Sequence, residues 1–269
     1  MHIWLSLEIL MSELNAILII AYRDFLKLLR DRARIIISLI FPLLFIGILG
    51  GSLQANLSSD VGYDFLVFTF FGVIGQTLFS STASGVISLI EDRQNDFSQE
   101  IFISPISRYS IVIGKIMGES LVSLVQLIGI LIFGFIIGVP ITLSGMLTLI
   151  PVFLIICLLG GAFGVLVLAN LSQQRSANQV FPFIIFPQFF LAGVFSPIKV
   201  LPPFLDILSR LSPMRYAVDL IRGVYYWGKP EYSKVVLESP TYNILVIALM
   251  FLGFVTIGTY LFVKKERNR

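Results

Sequence analysis

The chain has 269 residues, 57% of them hydrophobic and only 13% charged, with a mean hydropathy of +0.93, which excludes a soluble globular domain. A net charge of +3 and a pI near 9.0 would suit nucleic acid. The basic residues instead gather where apolar blocks end, which points to anionic lipid headgroups and leaves no basic patch for nucleic acid.

The first twenty residues carry Glu8 and Glu13, no basic lead and no small-residue cleavage site, so a removable signal peptide is not expected. Residues 13–34 predict an amphipathic helix. Arg23, Lys27, Arg30 and Arg34 fall along one face, and Ile17, Leu18, Ala21, Phe25 and Leu28 occupy much of the other. Such a helix lies in the membrane interface with its basic side toward lipid phosphates.

Six blocks follow, each long enough to cross a hydrocarbon core about 30 Å thick, which takes about 20 apolar residues as helix. The first runs from Ile35 to Leu53 and contains Pro42; a short polar loop with Asn56, Ser58, Ser59 and Asp60 follows it. The second, from Phe65 to Ile90, carries Gln76, Thr77 and the small polar run Ser80 to Ser84. The third runs from Ile111 to Gly138, the fourth from Met146 to Ala169, and the fifth from Val180 to Ser196 with Pro182 and Pro187 inside it. The sixth runs from Asn243 to Val263. So many crossings leave little room for a separate soluble domain, and nucleotide hydrolysis would fall to a partner. The expected fold is an all-α integral membrane protein, a single domain over 1–269, with an interfacial helix before six spans.

With the N-terminus in the cytoplasm, 13 Lys and Arg residues fall on that side (Arg23 to Arg34, Arg93, Arg108, Lys115, Arg175 and the tail), leaving 19 − 13 = 6 opposite. All six of those lie between residues 197 and 240. The positive-inside bias then places both termini in the cytoplasm. Residues 197–240 are not plain loop: Leu201, Phe204, Leu205, Leu208 and Leu211 recur at helical spacing, then Ala217, Leu220, Ile221 and Val224. Pro202, Pro203 and Pro213 punctuate them, which predicts short re-entrant or surface helices on the outer face, buried against protein.

A search for catalysis finds little. His2 is the sole histidine, so neither a zinc site nor a Ser-His triad can be built, and no phosphate-binding GxxxxGK[ST] loop is present. Cys157 is the single cysteine, which rules out an intrachain disulfide. Glu119 stands close to a span interior, and Lys115 one turn away makes a boundary ion pair its expected role. GxxxG spacings at Gly47/Gly51, Gly114/Gly118, Gly134/Gly138 and Gly160/Gly164 predict close helix packing. The segment between spans two and three is polar enough to leave the membrane, yet Phe97, Ile101 and Phe102 form an apolar ridge that calls for a partner.

Three stretches together resemble the membrane subunits of type 2 ABC transporters, which export drugs, lipids and polysaccharides. They are the amphipathic helix leading into span one, the segment from Glu91 to Lys115 ending in SPISRYSIVIGK, and FPQFFLAGVFSPIKVLPPFLDILSRLSPMRYAVDLIRG from Phe186 to Gly223. The wording of the last is most similar to the drug and lipid export branch.

The resemblance implies two permease copies, as a homodimer, above two ATP-binding subunits that hold ATP and Mg; this chain would bind no cofactor itself. It implies a coupling helix over 91–107, with Asp92, Arg93, Asp96, Phe97, Glu100, Phe102 and Pro105 at the ATPase contact. It further implies a path between the copies lined by Gln76, Thr77, Ser80, Phe186, Phe189 and Phe190, suited to an amphiphilic cargo. An outer lid would contain Pro202, Pro213, Arg215 and Arg222, the arginines either pairing with Asp206 or Asp219 or meeting substrate. The setting implied is the plasma membrane of a prokaryotic cell. Polysaccharide export by the same family is the alternative. A secondary transporter or channel would show midplane charges or two related halves with interrupted helices, and neither is visible.

Overall fold

The computed structural model describes the backbone of residues 2–94, 106–169, 171 and 173–267. Among these residues there is no strand; everything regular is helical. The helices are α1 (His2–Arg30), α2 (Arg32–Leu44), α3 (Gly51–Val61), α4 (Phe65–Gly85), α5 (Ser88–Gln94), α6 (Arg108–Ile136), α7 (Leu143–Leu168), α8 (Gln174–Leu191), α9 (Pro203–Leu211), α10 (Pro213–Tyr225), α11 (Tyr232–Val235) and α12 (Pro240–Arg267). A π-helical turn, Phe45–Gly50, joins α2 to α3.

Among the described residues five helical stretches are long and apolar enough to cross a membrane: Ile35–Asn56, Phe65–Ile90, Arg108–Ile136, Leu143–Leu168 and Tyr232–Lys264. Four correspond closely to expected spans. The first differs in its end, because the polar residues Asn56 to Asp60 continue α3 instead of forming a loop. That helix stops at Gly62, whose φ of 70° is open to glycine at little cost. The expected fifth span corresponds to α8, which has 18 residues but opens with Gln174, Arg175, Ser176, Asn178 and Gln179, so its first turns are polar.

Helix α4 is the centre of the bundle, packed against α6, α7 and α10. Of its apolar window 83% is buried in protein, against 17% for the first span and 22% for the last, so these two turn most of their surface outward. Glycine explains how close the neighbours come. A Cβ on Gly160 or Gly164 of α7 would overlap the carbonyl oxygens of Phe79 and Ala83 on α4. Gly114 of α6 faces Ile17 and Ile20 of α1, while Gly118 faces Ala21 and Asp24, so α1 and α6 run parallel in contact. Two of the four GxxxG pairs are therefore helix seams. Gly134 receives the Phe70 ring, Gly138 ends its helix region at φ 82°, and Gly51 has nothing within 4 Å.

Helix α1 is seated on protein along one side. Ala16, Ile20, Ala21, Asp24 and Leu28 are buried, whereas Leu14, Leu18, Ile19 and Tyr22 are exposed. The inward stripe is thus rotated from the expected one, with Leu18 outward and Asp24 inward. At the opposite end of α4, α10 is buried along almost its whole length although its 13 residues are too few to span. Helix α9 departs from the expected burial: Phe204, Ile207 and Leu211 are exposed. Both helices begin at the proline signals, Pro202 being the N-cap of α9 and Pro213 the first residue of α10, where a missing N–H costs nothing.

Candidate functional site: a buried charge hub

Asp92, near the end of α5, gathers three cations from two other helices. Arg23 Nη2 of α1 lies 2.5 Å from Asp92 Oδ2, Lys27 Nζ lies 3.4 Å from Oδ1, and Lys115 Nζ of α6 lies 3.4 Å from Oδ2. Burial pushes the Asp92 carboxyl up, but the charges of Lys115, Arg23 and Lys27 outweigh it and hold the group below the usual carboxylate range. Lys115 is the pivot. Its ammonium sits 2.7 Å from Asp24 Oδ2, with 2% and 3% of the two side chains exposed. An ion so deeply buried is tolerated only where opposite charge surrounds it.

Glu119 adds a third carboxylate, 4.0 Å from Lys115 Nζ. It lies at the turn between α4 and α5: Ser88 Oγ donates to Glu119 Oε1 at 3.1 Å, and a Cβ on Gly85 would overlap Oε2. The boundary ion pair expected for Lys115 and Glu119 is therefore the longest of the ammonium's three carboxylate contacts among the described residues, and Asp24 is the nearest partner. Among the described side chains three basic residues (Arg23, Lys27, Lys115) face three acidic ones (Asp24, Asp92, Glu119), and the hub ties α1, α5 and α6 together. Two members of the basic face of α1 turn to Asp92. Glu13 of α1 extends the attachment by accepting from the N–H of Ser107 at 2.9 Å, where Ser107 is the N-cap of α6.

Sequence reasoning missed Asp24. The signal was available: positions 17, 21, 24 and 28 share one face, and an acid inside an otherwise apolar stripe requires a buried partner.

Of the residues assigned to ATPase contact, Asp92 is the hub, and Arg93 lies on α5 with its side chain outside the description. Asp96, Phe97, Glu100, Phe102 and Pro105 lie outside the described residues. The assigned path residues are not brought to one surface. Gln76 and Thr77 are buried within the bundle and Ser80 is half-buried. Phe186 and Phe190 of α8 are 55% and 58% exposed, while Phe189 is buried. These rings continue onto span one: Phe189 contacts Phe41 with centroids 6.3 Å apart, and Phe45 stacks on Phe195 at 4.8 Å. The aromatic ridge thus joins α8 to α2 on an open face.

At the far end of α4 the arginines differ in role. Arg215 donates to Ser209 Oγ at 2.8 Å and to Asp206 Oδ1 at 3.3 Å. Arg222 instead donates to three carbonyl oxygens, of Gly193 at 2.8 Å, Val194 at 2.9 Å and Phe68 at 3.0 Å, with its guanidinium 3.5 Å from the centre of the Phe68 ring. Burial pulls Arg222 down to about 10, so it stays charged at neutral pH. Asp219 is occupied elsewhere, accepting from the N–H groups of Leu237 and Glu238 and from Asn243 Nδ2, each at 2.8 Å. No group of three or more residues able to hold a metal ion is present among the described residues.

Residues 15–226 match the family described as ABC-2 type transporter. The chain is similar to the putative transport permease ycf38 of Cyanophora paradoxa, 24% identical over 88% of this chain and 85% of the relative. It is similar to the protein of the same description from Porphyra purpurea, 27% identical over 89% and 84%. A probable multidrug ABC transporter permease, YbhR of Escherichia coli (strain K12), is 29% identical over 52% of this chain and 38% of its own length.

Proposed function

The chain belongs to the ABC-2 type transporter family, and from that premise we propose that it is the permease of an ATP-driven exporter, working as a pair of identical copies. It is a multi-pass membrane transport permease and not itself an enzyme; its family implies an ABC ATP-binding partner. In the proposed assembly two such subunits, carrying ATP and Mg, sit on the cytoplasmic side together with both termini, in the plasma membrane. Helix α8 completes a sixth crossing. The cargo is an amphiphilic drug or lipid, a reading supported by the YbhR description and by the exposed Phe186 and Phe190.

The observation that carries this reading is the Asp92 hub. Residues 91–107 act as the coupling segment, received by the ATPase through Asp96, Phe97, Glu100, Phe102 and Pro105. Force applied there reaches Asp92 first, and Asp92 is bound to Lys115 and Arg23. Helices α1, α5 and α6 then shift together, since moving one alone would strip buried charges of their partners. The rearrangement opens the path between copies, along the face bearing the aromatic ridge, with α9 and α10 as the outer lid.

The test is co-purification of the ATP-binding subunit with membranes carrying Phe102→Ala or Asp96→Asn. Both substitutions release the subunit while the permease stays folded. Retention by both variants would remove the coupling assignment.

A further inference from the structure

Helix α4 ends in a charge hub on one side and in Arg222 on the other, and the second end is as tightly built as the first. Arg222 rises from α10, lies over the Phe68 ring of α4, and binds the backbone of both Phe68 and the Gly193–Val194 turn that follows α8. Carbonyl oxygens are fixed points of the chain, so three of them hold three segments in one geometry. Gly72 makes the approach possible: a Cβ there would overlap the Val194 carbonyl and the Arg222 guanidinium. Gly75, one turn on, packs tightly on α10, where a Cβ would lie 3.2 Å from the Val218 side chain. An arginine this deep in a membrane protein is costly and calls for a role.

We infer that Arg222 is a positioning residue that makes α4, the end of α8 and α10 a single body, so that a displacement of α4 at the Asp92 end is delivered to the outer helices without slack. This rests on the exporter reading for its consequence, but the rigid connection stands on the contacts alone. A loosely packed lid would open independently of span two; the Arg222 clamp forbids that. The guanidinium fork matters as well as the charge, because a lysine ammonium reaches fewer of the three oxygens from one position.

The experiment places spin labels at Ser84, exposed near the Asp92 end of α4, and at Val200, 93% exposed in the segment before α9. Distance distributions are measured in the membrane-embedded permease alone and in the complex with its ATP-binding subunit, with and without ATP. The wild type gives one narrow distance that ATP leaves unchanged. Arg222→Met broadens it, Arg222→Lys broadens it less, and Gly72→Ala broadens it with the arginine retained. In the complex, Arg222→Met and Gly72→Ala cut the ATP-dependent change in reactivity of a Val200→Cys thiol about tenfold, within the range of coupling residues, while ATP hydrolysis continues.

A narrow distance retained in both Arg222→Met and Gly72→Ala would overturn the clamp. Broadening with the thiol response intact would overturn its role in transmission. Absence of any ATP response in the wild-type complex would overturn the exporter reading and the transmission built on it, while the permease-alone distances still decide the clamp. If Arg222→Met does not fold, Gly72→Ala and Phe68→Leu carry the same comparison.

Discussion

Lys115 and Asp24 form a buried ion pair, 2.7 Å apart on α6 and α1, with almost no solvent access to either side chain. The pair is possible because Gly118 lets α1 approach until the Asp24 Cβ lies 3.0 Å from where a side chain on that glycine would begin. Close packing and buried charge are therefore one feature: the seam brings the carboxylate in, and the ammonium makes its burial tolerable.

Removing one partner should be worse than removing both. Lys115→Met leaves the buried Asp24 carboxylate to Arg23, whose Nη2 lies 2.9 Å from Oδ1, and costs up to about 3–5 kcal/mol, whereas Lys115→Met with Asp24→Leu recovers part of it. Thermal unfolding of the solubilised permease, read as a double-mutant cycle, measures the difference. Equal losses in single and double variants would contradict the pairing.

The Asp92 carboxyl is held below its ordinary value by the cations around it. The unfolded chain therefore binds the proton more tightly than the folded one, and stability rises with pH across that window. The contribution is complete above the unfolded value of about 3.9 and disappears as pH falls through the folded value. Asp92→Asn should flatten this acid-side dependence in an unfolding series between neutral pH and the acid limit.

The helix seams predict a sharp contrast among glycines. Gly160→Val drives a side chain into the Phe79 backbone and costs at least about 1–3 kcal/mol. Gly51→Ala meets nothing and gains up to about 1 kcal/mol in helix propensity. Melting temperatures of the two variants should move in opposite directions.

Asp219 holds the chain just before α12 by accepting from Leu237, Glu238 and Asn243. Asp219→Ala leaves these donors unpaired and should cost at least about 2 kcal/mol. Amide exchange at Leu237 and Glu238 should accelerate with it, and unchanged protection would mean that other acceptors serve them.

Much of the architecture was legible because bilayer physics simplifies the code. Long apolar runs such as Leu143–Leu168 can only be helices there, since every backbone group must find its partner within the segment. The proline pair Pro202–Pro203 and Pro213 marked the starts of α9 and α10 for an equally local reason. Legibility failed where neighbours decide. Leu18 turns outward against expectation, and Asp24 turns inward unforeseen, because α6, absent from any local window, supplies both the glycine seam and Lys115. Gln76 and Thr77 read as a polar stripe, yet α4 is surrounded by other helices and the stripe is internal. Arg222 was expected among carboxylates or substrate, whereas the carbonyls it binds come from segments far away in the chain.

Composition and periodicity alone determined that this protein lives in a bilayer as a helical bundle, because hydrophobic length and internal hydrogen bonding are properties of single segments. Only the tertiary structure decided which charges meet. Asp24, Asp92 and the Lys115–Glu119 turn come from separate parts of the sequence, and nothing local specifies that the three converge. Their meeting depends on how closely α1 and α6 can pack and on where the turn after α4 falls.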